Sequence, residues 1–184
     1  FFINKLGASQ YGIWMFVNSI IAGIGILNMG LGDATIKFVS KYRSLEDPIN
    51  LSRIVNAVFS LSLVFLIIFI VFGNGIAYLL RLYNFFKLGK DELLVTFSTI
   101  QLGSIVFGFK QVEQVLLSVF KGFEKYDTSA KISIVSKTVL ILSQVTTVYL
   151  GYFLVEIFLV SAIVSFLMVV AELLFIKSRY KGMS

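Results

Sequence analysis

The sequence predicts an all-α, polytopic transmembrane helix bundle. Three observations carry that reading. Of 184 residues, 58% are hydrophobic and only 14% are charged, against about 25% charged in a soluble domain. Apolar residues continue for about 20 positions at a time, the length that crosses a bilayer, and five such runs follow one another. The Lys and Arg residues fall mostly between alternate runs, as they do when one side of the membrane retains them. With 19 Phe and one Pro, the chain is too apolar for a disordered segment.

Composition also excludes chemistry. Cys and His are both absent. That removes disulfides and thiolate chemistry, zinc sites of the usual kind, and most nucleophile–base pairs. No catalytic residue, metal or cofactor is expected, and the chain is not read as an enzyme or as a nucleic-acid binder. The net charge of +6 matters less for its size than for its placement. No basic segment followed by a short apolar core opens the chain, so it does not read as a signal peptide. Phe1-Phe2-Ile3 reads instead as the tail of an earlier span, and Lys181-Gly182-Met183-Ser184 as an interrupted end, so a longer parent protein is expected.

The first span is placed at about 11–32, with helix continuing toward Tyr42. Asp47-Pro48 then supplies an N-cap and a first helical residue for a second span at about 54–80. A polar loop at 81–92 leads to a third span at about 93–120, which Asp91 can cap. Asp127 and Thr128 can cap a fourth span at about 132–150. Gly151-Tyr152 makes a tight turn into a fifth at about 153–176. Segments 33–53 and 121–131, together with 177–181, hold Lys37, Lys41, Arg43, Arg53, Lys121, Lys125, Lys131, Lys177, Arg179 and Lys181. The opposite side holds only Lys5, Arg81, Lys87 and Lys90. The first group is therefore expected in the cytoplasm and the 81–92 loop outside.

Lys110 and Lys137 fall inside spans, and polar residues accompany them. In the fourth span Ser133, Ser136, Lys137, Ser143, Gln144 and Thr147 share an arc of about 120° at 100° per residue. Such hydroxyls serve either a polar cavity or hydrogen bonds between helices. Lys137 can face that cavity or extend its stem to the interface. In the third span Lys110 and Glu113 are spaced i,i+3, and Lys110 and Gln114 i,i+4, so those pairs meet on the helix surface. Charges at that depth face a bundle interior or a wet cavity, as an internal ion pair or as the lining of a polar path. Gln101, Ser104 and Gly108 point to another face of the same span. Asn18, Gly25, Asn28, Gly32 and Thr35 line one side of the first span, which Gly30, Gly32 and Asp33 interrupt. The glycines allow either close helix packing or a bend of the kind found at transporter sites. Ser161, Ser165 and Glu172 share a face of the fifth span, where Glu172 is expected to meet the basic cytoplasmic end. Glu156 points elsewhere and reads as interfacial.

Three stretches resemble the polysaccharide (O-antigen) flippases of the multidrug/oligosaccharidyl-lipid/polysaccharide exporter superfamily. Leu6-Gly7-Ala8-Ser9-Gln10-Tyr11-Gly12-Ile13-Trp14 resembles the segment after their first span. Residues 29–42, Met29-Gly30-Leu31-Gly32-Asp33-Ala34-Thr35 through Tyr42, resemble the glycine-bearing end of their second span. Phe120-Lys121-Gly122-Phe123-Glu124-Lys125-Tyr126-Asp127 resembles their loop between spans four and five. Order and spacing agree along nearly the whole chain.

The resemblance implies that the five runs are the second to sixth spans of a protein with 12 to 14, forming a partial N-terminal lobe of a two-lobe transporter. It implies alternating access that moves undecaprenyl-diphosphate-linked oligosaccharide from the cytoplasmic to the outer leaflet of a bacterial or archaeal plasma membrane, for lipopolysaccharide or another envelope glycan. The expected partners are membrane lipid, that lipid-linked substrate, and the C-terminal lobe. Lys110 and Lys137 are the candidates for attracting the diphosphate. Gln114, Gln144 and Asn28 are candidates for the sugars, with Asp33 and Glu113 as further cavity candidates. A multidrug exporter of the same superfamily is the alternative, for which a more acidic cavity would be expected. A membrane glycan polymerase or ligase is a further alternative, for which a long external loop with catalytic residues would be expected.

Overall fold

A computed structural model of the chain describes residues 2–25, 29–83 and 88–179, with side chains at all of these except 20–25, 29, 177 and 179. Six helices account for nearly all of them, and there is no strand among the described residues: α1 (Phe2–Gly25), α2 (Met29–Ser44), α3 (Pro48–Tyr83), α4 (Lys90–Gly122), α5 (Tyr126–Tyr149) and α6 (Leu154–Arg179). The all-α bundle expected from the sequence is therefore present. Four of the helices, α3 to α6, are long and apolar enough to cross a membrane, and the chain is a multi-pass membrane protein. The expected first span, 11–32, is shared between α1 and the start of α2, with residues 26–28 outside the described residues.

Local chemistry sets the ends. Gly7 breaks α1 with φ 80°, a left-handed conformation that glycine adopts without steric penalty. Across that break Phe2 stacks on Trp14 at 5.1 Å, while Leu6 packs against Val148 and Ile157. Asp47 caps α3, accepting hydrogen bonds from the Asn50 backbone N–H at 3.0 Å and from Asn50 Nδ2 at 2.6 Å. The expected caps of the next two helices shift by a few residues. Gly89 precedes α4, and Glu92 rather than Asp91 reaches back to its N–H at 3.4 Å. Helix α5 begins at Tyr126, with Lys125 ahead of it, so Asp127 lies in the first turn and favours that end through the helix dipole. Gly151, at φ 86°, makes the turn into α6. Glu156 accepts the Phe153 N–H at 3.1 Å.

Helix α4 lies at the centre and touches all five others. Its N-terminal half packs through Ile100 with Ile13, Val17, Ala77 and Phe158. Its C-terminal half packs through Val112, Leu116 and Phe120 with Val169 and Ile176. Close approach depends on small residues, as is common between membrane helices. A Cβ on Gly73 would collide with the Ser104 side chain, and one on Gly122 would lie 2.6 Å from Val39 Cβ. A Cβ on Gly32 would lie 3.0 Å from Ser118 Oγ. Gly32 thus serves the approach of α2 to α4, and the bend considered for Gly30–Asp33 does not fall there, because those residues are helical.

The surface agrees with a lipid solvent. Ile67, Val71 and Phe72 of α3, Ile141 and Leu142 of α5, and Ile163 and Leu167 of α6 are all exposed. In water such stripes would drive association, whereas hydrocarbon accepts them. Tyr78, Tyr83, Tyr149 and Tyr152 are exposed at one end of the bundle, and Tyr126 at the other, where amphipathic rings suit the lipid interface. Buried hydroxyls are satisfied mainly inside their own helices: Thr35 donates to Leu31 O, Thr99 to Val95 O, and Ser118 to Gln114 O.

Two measurements check this packing. Gly73→Ala should destabilise the α3–α4 contact by about 1–3 kcal/mol, the usual range for overpacking, and Ser104→Gly in the same chain should recover most of that loss in a detergent unfolding titration. The Asn50 hydrogen bonds hold the Asp47 carboxyl below its ordinary value. Its contribution is therefore present above the unfolded carboxylate range and lost as pH falls through the lower, folded one. Protection of the Asn50 amide, corrected for intrinsic exchange, should fall over that acidic window in the wild type. It should become independent of pH in Asp47→Asn.

Candidate functional site

The charged residues inside the bundle converge. A cavity of about 480 Å³ opens between α2, α4 and α5, and its walls include Gly32, Asp33, Lys110, Gln111, Glu113, Gln114, Ser118, Lys121, Ser133 and Lys137. Each wall follows from helix periodicity. Lys110, Glu113, Gln114, Leu117, Ser118 and Lys121 repeat at three- and four-residue intervals along α4, so they form one stripe. Ser133 and Lys137 are spaced i,i+4 on α5, and Asp33 and Ile36 i,i+3 on α2. The close contact at Gly32 and Ser118 brings α2 against the α4 stripe.

The electrostatics are uneven across this space. Lys110 Nζ donates to Glu113 Oε2 at 2.7 Å, with the lysine side chain 28% exposed and the glutamate side chain 6%. The pair is thus anchored in the wall, with its ammonium end toward the cavity. Lys137, Asp33 and Gln114 are exposed at the rim, and Lys121 is half-buried. Three ammonium groups and two carboxylates line the cavity, an excess of one positive charge. A second cavity, of about 360 Å³ at the other end of the bundle, is lined by Ala8, Ser9, Gly12, Ile13, Phe16, Leu88 and Thr96, with no charged residue among its described walls.

Five of the seven candidates named from sequence meet in the first cavity: Lys110, Lys137, Gln114, Asp33 and Glu113. Asn28 lies outside the described residues. Gln144 is a correction. It does not line the cavity; its Nε2 donates to Ser161 Oγ at 3.0 Å, so it joins α5 to α6. Most of the α5 polar stripe follows it away from the cavity. Ser136 Oγ donates to Glu172 Oε1 at 3.4 Å, Ser143 to Leu140 O, and Thr147 to Ser143 O. Only Ser133 and Lys137 of that stripe reach the cavity wall. The other hydroxyls take the interhelical or own-helix role.

Two residues were misplaced by sequence reasoning. Lys121 reads in sequence as the first residue of a basic loop. Helix α4 continues through it to Gly122, which extends the stripe begun at Lys110 by one more turn; the interval of seven from Gln114 was the available signal. Glu172 was expected at the basic cytoplasmic end. It is 4% exposed and accepts a hydrogen bond from Ser136 Oγ of α5 at 3.4 Å.

No family model, no curated protein and no solved structure matches the chain.

The division of labour between Gln144 and the cavity is measurable. Gln144→Ala and Ser161→Ala should each weaken the fold by about 1 kcal/mol or less, the scale of hydrogen bonds between membrane helices. A double-mutant cycle in detergent unfolding should give a coupling of similar size between them. Gln144 and Lys137 should show none.

Proposed function

We propose that this chain forms part of a membrane transporter that carries a lipid-linked oligosaccharide from the cytoplasmic to the outer leaflet of a bacterial or archaeal plasma membrane. The observation that carries the reading is the cavity itself: a polar space inside an otherwise apolar helix bundle, lined by Lys110, Lys121 and Lys137. Charges at membrane depth cost free energy and usually face a pathway or a partner. A cavity with an excess positive charge suits an anionic group, and a diphosphate offers several acceptor oxygens to ammonium donors. Gln111, Gln114 and Ser133 supply the neutral donors and acceptors that sugar hydroxyls need. The same balance disfavours a cationic drug, for which lysines on two of the three walls, α4 and α5, would be repulsive.

The sequence resemblance to polysaccharide flippases supports the same reading from a different direction. Its three segments fall in α1, in α2 and at the α4–α5 turn, and two of them contribute to the cavity through Gly32, Asp33 and Lys121. In this reading the cavity is one wall of a central path, and a second lobe supplies the facing wall. The turns at 45–47 and 123–125 lie in the cytoplasm, so the cavity sits in the cytoplasmic half, where substrate is loaded. The role is transport, without covalent chemistry.

The test uses the complete gene in its host. Deletion should cause undecaprenyl-linked oligosaccharide to accumulate on the cytoplasmic leaflet, and the wild-type gene should relieve it. Lys110→Ala and Lys137→Ala should restore markedly less surface glycan than wild type at equal membrane abundance. Unchanged glycan after deletion would sink the proposal and turn attention to efflux of a fluorescent cation.

A further inference from the structure

Helix α3 is longer than the bilayer it crosses. Its 36 residues make about 54 Å of helix rise. The hydrocarbon core is about 30 Å thick, with a headgroup layer of about 5–7 Å on either side. Tyr78 and Tyr83 are exposed at the C-terminal end of α3, where tyrosine rings suit the lipid interface, so the excess length falls at the other end. Counting back about 30 Å from Tyr78 covers about 20 residues and reaches Val58. Asn56 and Arg53 then lie about 3 and 8 Å beyond the hydrocarbon, in the headgroup layer. A tilt of about 20° changes these depths by only about 2 Å.

The residues at that depth face outward. Arg53, Ser60, Val64, Ile67, Val71 and Tyr78 recur at intervals of seven, four and three along one face of α3, and all are exposed. Asn56 and Ala57 flank the same line and are also exposed. The face is therefore apolar where it crosses hydrocarbon, and it ends in a hydroxyl, an amide and a guanidinium.

The guanidinium is positioned but not neutralised. Arg53 donates one long hydrogen bond to Asn50 Oδ1 at 3.5 Å, and Asn50 donates in turn to Asp47. Among the described residues no carboxylate lies within ion-pair distance of Arg53, although the charge of Asp47 reaches it from farther off. Other cations at this end are engaged elsewhere. Arg43 pairs with Glu124 at 3.0 Å, Lys131 stands 4.0 Å from Asp127, and Lys41 lies over the Tyr42 ring.

We propose that Arg53, Asn56 and Ser60 form a headgroup site for a phospholipid. The Arg53 guanidinium holds its phosphate, and an acyl chain lies along Val64, Ile67 and Val71. The planar fork of an arginine fits two phosphate oxygens at once. The Asn56 amide and the Ser60 hydroxyl supply neutral donors for the glycerol ester oxygens. The leaflet is the one on the side of the α2–α3 turn, which is cytoplasmic in the orientation given above. The site itself does not depend on the transport reading. Helix α3 packs on α4 where Gly73 meets Ser104 and Leu66 covers Gly108, so a lipid held here also sets the depth of the cavity wall.

The experiment uses the full-length gene product in bilayers, with a fluorophore on Ala57→Cys as its single cysteine. Quenching is titrated with brominated phosphatidylglycerol in a host of monogalactosyldiacylglycerol, and with the brominated galactolipid in the converse host. The two titrations give the relative affinity of the position for a lipid with a phosphate and for one without. The wild type should prefer phosphatidylglycerol several-fold, and phosphatidylcholine should share the preference, because it keeps the phosphate. Arg53→Gln should bring the ratio close to one. Arg53→Lys, which keeps the charge and loses the fork, should fall between. Arg81→Gln serves as the control, since its guanidinium lies at the far end of α3 over the Phe97 ring at 5.2 Å, and it should leave the ratio unchanged.

A wild-type ratio near one means boundary lipid only and overturns the site. A preference that survives Arg53→Gln, or falls equally in Arg81→Gln, overturns its assignment to Arg53. A preference for phosphatidylglycerol that phosphatidylcholine does not share overturns phosphate recognition, in favour of a general attraction to anionic surfaces.

Discussion

Everything in this bundle depends on α4 reaching all its neighbours at once. A helix that packs against five others has little lipid-facing surface of its own. Its N-terminal half solves the problem with small and hydroxylated residues: Thr96, Thr99, Gly103, Ser104 and Gly108 are all buried. The hydroxyls of Thr96, Thr99 and Ser104 turn back onto α4 carbonyls, so they present little more than a methyl-sized surface to the neighbour. Gly73 on α3 meets Ser104 in that way, and Leu66 settles over Gly108. The hydrogen bond from Gln101 to Asn74 at 2.6 Å fixes the register of the same pair of helices.

The C-terminal half of α4 meets a different demand. There one face carries Val112, Leu116 and Phe120 into the apolar core, while the adjacent face carries Lys110, Glu113 and Gln114 into a polar cavity. The two faces are fixed to each other by the helix, so the core that holds α6 in place also sets the direction of the charges. The turn at 123–125 closes this half. Ser40 Oγ donates to Gly122 O at 3.0 Å, and Arg43 pairs with Glu124 at 3.0 Å, tying α2 to the end of α4. That contact places Asp33 opposite the lysine stripe.

Much of this was legible in the sequence. The four helices that can cross a membrane lie where length and hydropathy placed them, because apolar runs bounded by Asp-Pro, Gly-Lys-Asp and Gly-Tyr have few other ways to fold in lipid. The grouping of Lys110, Glu113 and Gln114 on one face of α4 was also readable, because i,i+3 and i,i+4 spacing survives folding; that Lys137 of α5 joins them was not. What was not readable was the choice each polar residue makes between cavity and neighbour. Gln144 and Lys137 share an arc of α5, yet they part because Gln144 lies nearer the end where α6 begins and meets Ser161, while Lys137 lies where α2 and α4 leave space. Partner identity is a tertiary property, and one helix's periodicity does not contain it. Glu172 shows the same limit: its hydrogen-bond donor, Ser136, stands on another helix, where proximity in sequence does not reveal it.

The cluster at Lys110, Glu113 and Glu172 is hard to account for as a stabilising device. Replacing a buried ion pair by apolar side chains of similar size is often neutral or favourable by about 1–4 kcal/mol, and among the described side chains Glu172 adds a second buried acid without a second base. The surrounding core offers apolar alternatives at every turn, since Val112, Val115, Leu116 and Val169 already fill it. A bundle shaped by packing alone would have no use for three ionisable groups at this depth. Their position also separates two kinds of demand. Lys110 and Glu113 reach the cavity, where an ion or a headgroup can meet them, whereas Glu172 is cut off from it by the wall they form. A group that no bulky ligand touches, but whose charge its neighbours feel, can change what the cavity binds without competing for space in it.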